Sequence, residues 1–165
     1  MIDHVDRAVG RVSTSLAFLG AGILGLLAVL IVADILGREL GMPIRGTVEI
    51  AAMTVASATF LTIPYTMRKR GHIRSTIVVS RLPERLGRSM EVFAYLLGAA
   101  LFAFVAVYSY DAAVTAFTAG SYEGEGALRV PTFPTRWIIV IGSAAMSAES
   151  LLAAIHAGRG TSRDE

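Results

Sequence analysis

Four long apolar stretches dominate this sequence of 165 residues and determine the solvent in which the chain folds. A helix that crosses the hydrocarbon core of a bilayer needs about 20 predominantly apolar residues. Lipid offers no hydrogen-bond partner to an exposed backbone, so a spanning segment must be a helix or a strand of a closed barrel. Because the chain lacks the alternating segments of about 10 residues that a barrel requires, we predict an all-α, polytopic membrane protein with four transmembrane helices.

The predicted transmembrane helices cover residues of about 12–34, 47–67, 88–119 and 135–157, within a single membrane domain of residues 1–165. Hydrophobic residues make up 54% of the chain, and the charged 17% lie mostly between the apolar stretches. With a mean hydropathy of +0.61, this distribution is typical of a membrane protein rather than of a large soluble core. We expect the first apolar stretch to remain as an uncleaved anchor.

Lysine and arginine are distributed unevenly among the connections, and this asymmetry predicts the orientation. Residues 68–88 hold seven of the 15 basic residues, and placing them in the cytoplasm brings eleven to that side. The chain is therefore predicted to be N-in/C-in, and residues 73–82, which alternate apolar and basic, to form a short interfacial cytoplasmic helix between helices 2 and 3. The predicted residues of the cytoplasmic interface are Arg68, Lys69, Arg70, His72 and Arg74. Topology thus accounts for the pI of about 9.3, and no nucleic-acid partner is indicated.

No pattern in the sequence predicts catalysis, a cofactor or a metal. Cysteine is absent, the three histidines are dispersed, and there is no Walker A or serine-elbow motif. A GxGxxG run at residues 20–25 lies inside an uncharged apolar helix rather than between a strand and a helix, which argues against a dinucleotide site. Ala17, Ala21 and Gly25 instead recur at every fourth residue and predict a smooth helix-packing face.

Charges within or beside the apolar stretches are the candidates for contacts with a partner. Asp34 and Arg38 are four residues apart at the predicted outer end of the first span, and Arg45 and Glu49 have the same spacing, so each pair is expected to form an ion pair. Glu149 is the charge deepest in a span. Because an isolated carboxylate is costly in lipid, it must be protonated or face a partner helix or water. The candidate contact residues are Asp34, Arg38, Arg45, Glu49, Asp111 and Glu149.

Several short motifs, taken in their order and spacing, resemble a known family. They are DILGR at residues 34–38, GMPI at 41–44, TVE at 47–49, FLTIPY at 60–65, GHIR at 71–74, LP at 82–83 and ALRVP at 127–131 with Trp137 soon after. Together they resemble the small membrane subunit, or DctQ component, of tripartite ATP-independent periplasmic (TRAP) transporters, over residues of about 33–152.

The resemblance implies a scaffold subunit in the bacterial inner membrane. It implies a large membrane subunit that holds the substrate and sodium sites, and a periplasmic substrate-binding protein that delivers an organic anion. The residues alone leave two alternatives open. One is a self-sufficient small four-helix transporter with Glu149 as its intramembrane proton site, and the other is a non-transport membrane assembly or anchor protein.

Overall fold

The computed structural model describes residues 2–70, 84–124 and 129–159, and nearly all of these residues are helical. The helices are α1 (Ile2–Glu39), α2 (Thr47–Arg70), α3 (Glu84–Thr118) and α4 (Phe133–Arg159). All four are long and apolar enough to cross a membrane, so the predicted all-α, polytopic fold with four transmembrane helices is confirmed. The predicted interfacial helix lies outside the described residues, and the orientation of the termini stays a prediction.

The turn between α1 and α2 follows from glycine and proline placed where a helix must stop. Gly41 adopts a φ of 73°, a left-handed conformation that glycine takes without steric cost. The amide of Gly41 donates to the carbonyl of Arg38 at 3.1 Å, and that of Met42 to the carbonyl of Gly37 at 2.7 Å. These two bonds form a Schellman motif that satisfies the last carbonyls of α1 and directs the chain back toward α2.

The connection between α3 and α4 contains a small antiparallel hairpin of β1 (Tyr122–Glu123) and β2 (Val130–Pro131). Thr132 then precedes the first turn of α4, and its carbonyl accepts the amide of Arg136 at 3.2 Å. The amide of Thr132 donates to the carbonyl of Ser121 at 3.0 Å, which ties the start of α4 to the end of α3. The sequence predicted only a loop without long helix at this place.

The helices pack in the order α1, α2, α4, α3, and the most extensive contact is between α3 and α4. The buried apolar side chains are mostly alanines, which allow helix backbones to approach closely. Contacts between α1 and α4 are sparse, so the outer helices α1 and α3 lie at the two ends of the arrangement. Both outer helices expose large apolar side chains such as Phe18, Leu26 and Val107, as expected for helices that face lipid.

Helices α2 and α4 approach each other closely at Gly142, where a β-carbon would collide with the carbonyl of Phe60. Pro64 lies inside α2, one turn further along the chain, and has no N–H to donate to that carbonyl. The carbonyl that proline leaves without its usual helical partner therefore lies against the backbone of α4. A side chain at position 142 would push the two helices apart.

Candidate functional site

Glu149, the charge that the sequence places deepest in a span, lies at the junction of three helices. Its side chain on α4 is 0% exposed. The hydroxyl of Ser13 on α1 donates to Glu149 Oε1 at 2.7 Å. Arg68 Nη1 on α2 lies 3.3 Å from Oε1 and 3.4 Å from Oε2. Glu149 thus meets a neighbouring helix on two sides, one of the environments that the sequence left open for it.

The same guanidinium group reaches the first turns of α1. Arg68 Nη2 lies 3.0 Å from Asp6 Oδ2, and Nη1 donates to the backbone carbonyl of Asp6 at 3.2 Å. Gly10, between Asp6 and Ser13 along α1, provides the space, because a β-carbon there would collide with the guanidinium. Asp6, Ser13, Arg68 and Glu149 are called the buried ionic cluster below.

His156 lies beside this cluster, nearly two turns after Glu149 on α4. Its Nε2 atom is 3.9 Å from Asp6 Oδ1, too far for a hydrogen bond but close enough for an ion pair when the imidazole is protonated. A protonated His156 would therefore add a link between α4 and the N-terminal end of α1.

The arrangement of the buried ionic cluster is that of an inter-helix connection. One guanidinium bridges two carboxylates on different helices, and a hydroxyl donates to the deeper carboxylate. The Ser13–Glu149 and Arg68–Asp6 contacts, at 2.7 and 3.0 Å, are charge-assisted hydrogen bonds, and the longer Arg68–Glu149 contacts at 3.3 and 3.4 Å add the attraction of opposite charges. Among the described residues no group of three or more His, Asp or Glu side chains could hold a metal ion. The cluster fixes the relative position of α1, α2 and α4.

Asp34 forms a second buried carboxylate centre at the opposite end of α1, where the sequence predicted an ion pair. Arg38 Nη2 lies 2.7 Å from Asp34 Oδ2, and Arg38 Nε donates to the same oxygen at 2.9 Å. The other oxygen, Oδ1, accepts the amide of Ile44 at 2.8 Å. Asp34 therefore also holds the turn that leads into α2, a role that the sequence did not indicate.

The other expected pair at this end does not form. Arg45 is exposed, Glu49 is half-buried, and the part of the chain that the structure describes shows no ion pair between them. The reason is that α2 begins at Thr47, so Arg45 precedes the helix and the four-residue spacing does not place the two side chains on one helical face. Asp111 is exposed on α3, next to Tyr110, whose ring packs edge-on against Trp137 at 5.8 Å.

The predicted residues of the cytoplasmic interface have different positions. Arg68 belongs to the buried ionic cluster. Lys69 is exposed, with its Nζ 5.9 Å from the centre of the Tyr65 ring. Arg70 is the last residue of α2, and His72 and Arg74 lie outside the described residues.

The predicted small-residue face of α1 does not contact the rest of the chain closely. Ala17 is half-buried, Ala21 and Gly25 are exposed, and a β-carbon at Gly25 would have no described atom within 4 Å. This small-residue stripe therefore stays a prediction, and the contact that we predict for it is with another molecule. Helix α1 instead presents residues spaced by seven to α2 and α4, and the buried members of this heptad face are Ser13, Gly20, Leu27 and Asp34.

Sequence reasoning missed Asp6 and Ser13 as members of a site, and it placed Arg68 at the interface only. A signal was present: Asp6 continues the interval of seven from Ser13, and Gly10 lies on the same helical face. It missed Arg88 as well, whose Nε and Nη2 donate to the carbonyls of Ala157 and Gly158 at 2.8 and 2.9 Å. These bonds satisfy the C-terminal end of α4 and join it to α3.

Comparison with known families adds an independent observation. Residues 27–160 match the model of a family described as tripartite ATP-independent periplasmic transporters, DctQ component. The match begins in the second half of α1 and includes α2, α3 and α4, so Arg68 and Glu149 lie inside it whereas Asp6 and Ser13 precede it. Comparisons with curated proteins and with solved structures gave no match.

Proposed function

The chain belongs to the DctQ component family of the TRAP transporters, and on that premise we propose that it is the small scaffold subunit of such a transporter in the bacterial inner membrane. It is a multi-pass membrane protein of a family of transporter components. The resemblance inferred from its motifs is confirmed by the family match. With a large membrane subunit and a periplasmic binding protein, it would import an organic anion driven by an ion gradient, with sodium as the coupling ion.

The observation that carries the scaffold role is the buried ionic cluster. A carboxylate that moves protons or binds substrate must at some stage meet water or the substrate. The side chain of Glu149 has no exposed surface, and its contacts include a hydroxyl of α1 and a guanidinium of α2. These contacts resist movement of α1, α2 and α4 relative to one another, which suits a fixed support and speaks against a self-sufficient transporter centred on Glu149.

The division of labour proposed here also fits the size of the chain. Secondary transporters commonly build their substrate and ion sites near the bilayer midplane, from broken helices in paired repeats. In the described ranges each membrane-crossing helix is continuous, and α2 continues through Pro64. We therefore assign the substrate and ion sites to the large subunit, and to this chain the support of that subunit and a part in docking the binding protein.

Reconstitution into liposomes tests this proposal. The purified chain alone, the large subunit alone and the two together are each supplied with the binding protein, a labelled organic acid and an inward sodium gradient. We expect uptake only from the complete set. Accumulation of the organic acid by the chain alone would overturn the scaffold role, and failure to co-purify any polytopic partner would favour an assembly or anchor protein.

A Glu149→Gln variant separates the two transport hypotheses. In a scaffold, the rate per assembled complex stays near that of the unaltered complex, because the residue acts on the fold of this chain and not on the transported species. In a proton-coupled carrier, the rate per assembled complex falls to background although the protein is present. Expressing the rate per assembled complex, from co-purified amounts, removes the contribution of poorer folding.

A further inference from the structure

A groove of about 350 Å³ runs along α3 near its N-terminal end, beside the end of α4. Its walls are formed by Arg88, Ser89, Val92, Phe93, Leu96 and Gly158. The five residues on α3 are spaced by three and four, so they lie on one helical face and extend over about 12 Å along the axis. Arg88, Ser89 and Gly158 form the polar end of the groove, called its mouth below. Val92, Phe93 and Leu96 form its apolar wall.

The mouth carries a fixed positive charge. Two N–H groups of Arg88 donate to the carbonyls of Ala157 and Gly158, and these bonds hold the guanidinium at the end of the groove. A guanidinium has five N–H donors, so further donors remain for an oxyanion. Gly158 adds no side chain, and a β-carbon at that position would meet no described atom within 4 Å. The mouth therefore has both charge and space for an anionic group.

The wall of the groove faces hydrocarbon when α3 crosses the membrane. Phe93 is 67% exposed and Leu96 is 45% exposed, although both lie in an apolar helix. The groove extends about 12 Å along α3, and a flexible alkyl chain can follow it from the charged mouth along the apolar wall.

From this geometry we propose that the groove binds one anionic phospholipid, with its phosphate on Arg88 and an acyl chain along Val92, Phe93 and Leu96. The ligand matches the groove in charge at the mouth and in polarity along the wall. This assignment depends on the membrane location of the chain and not on its part in transport, so either can fail without the other.

Photo-crosslinking from inside the groove tests the assignment. Phe93 is replaced by benzoylphenylalanine in the full chain, expressed in membranes that contain zwitterionic and anionic phospholipids, and the adducts are identified by mass. Phe104 is the matched control: it is 58% exposed, and eleven residues, or about three turns, place it on the same face of α3. It reports the bulk lipid beyond the groove.

We expect the anionic share of lipid adducts at Phe93 to exceed that at Phe104 about fivefold, as about 1 kcal/mol for one basic residue near a lipid surface implies. Arg88→Gln should reduce the share at Phe93 to that at Phe104. Leu96→Trp, which keeps Arg88 and fills the groove, should lower total lipid adducts at Phe93 even if Arg88→Gln folds poorly. Equal shares at both positions, or adducts at Phe93 with another protein or with this chain, would overturn the assignment.

Discussion

The two ends of α1 each bury a carboxylate beside an arginine, but the contacts serve different purposes. At the N-terminal end, the buried ionic cluster joins residues that are 62 to 136 positions apart and belong to three helices. At the C-terminal end, Asp34 contacts residues that are 4, 10 and 13 positions away, all in or beside the turn between α1 and α2. Similar chemical groups therefore set the tertiary arrangement at one end and the shape of a single turn at the other.

The difference in burial separates the two ends energetically. Glu149 is 0% exposed and Arg68 is 23% exposed, so both charges lie largely out of water. Asp34 is nearly as buried at 5%, but the side chain of its partner Arg38 is 58% exposed and keeps most of its hydration. Removing one member of a buried pair leaves an uncompensated charge, whereas an exposed pair contributes little. The cluster should therefore be the more sensitive of the two.

The largest effect is expected from Arg68→Leu. The change removes the guanidinium that faces Glu149 inside the protein and frees the N-terminal turns of α1, so we expect a loss of about 3 kcal/mol in the free energy of unfolding. Titration of the detergent-solubilised chain with a denaturing detergent measures this, with the fluorescence of Trp137, the single tryptophan, as the signal.

Lys69→Ala is the control for that measurement. It removes one positive charge from the adjacent position, where the side chain is exposed, and should change the free energy by less than about 0.5 kcal/mol. The double variant Arg68→Leu with Glu149→Leu should regain at least half of the loss, because replacing both members of a buried pair by apolar groups is nearly neutral. Equal losses for Arg68→Leu and Lys69→Ala would mean that the buried ionic cluster contributes no more than an exposed charge. The energetic difference between the two ends of α1 would then disappear.

The two ends also differ in how well the sequence predicts them. The Asp34–Arg38 pair follows from a spacing of four on one helix, and the confirmed number of transmembrane helices follows from local hydropathy. The pairing of Arg68 with Glu149 depends on which helices are neighbours and on their rotation about their axes. Neither quantity is encoded in a window of a few residues, so the cluster could not be assembled from the sequence.

The buried face of α1 shows why a residue interval of seven indicates the packed side of this long helix better than an interval of four. A step of four residues rotates by about 40° around an ideal helix, whereas a step of seven rotates by only about 20° in the opposite sense. Over a helix of 38 residues, side chains spaced by seven therefore face the same neighbouring helix for more turns than side chains spaced by four. Ser13, Gly20 and Leu27 have this interval and are buried, while Ala21 and Gly25, in the stripe with an interval of four, are exposed.

A smaller effect is expected from Asp34→Ala, which tests whether the carboxylate of Asp34 acts on the turn between α1 and α2. The amide of Ile44 loses its acceptor, and we expect a loss of about 1–2 kcal/mol together with faster hydrogen exchange at that amide. Asp34→Asn keeps an oxygen for Ile44 and should retain most of the exchange protection. If the losses from Asp34→Ala and Arg68→Leu were clearly non-additive in a double-mutant cycle, the carboxylate of Asp34 would act beyond its own turn.

The smallest effect is expected from Arg38→Ala, which isolates the ion pair from the hydrogen bond to the turn. Because the side chain of Arg38 is 58% exposed, its removal should cost about 0.5 kcal/mol or less, and the cost should vanish near 1 M salt, where screening acts over about 3 Å. Arg45→Ala, at a neighbouring exposed arginine without an ion pair in the described ranges, should give no loss at either salt concentration. A loss for Arg38→Ala as large as that for Arg68→Leu, and insensitive to salt, would contradict the comparison directly. It would mean that another molecule covers this end of α1 and removes the pair from water, and the stability would then depend on that molecule being bound.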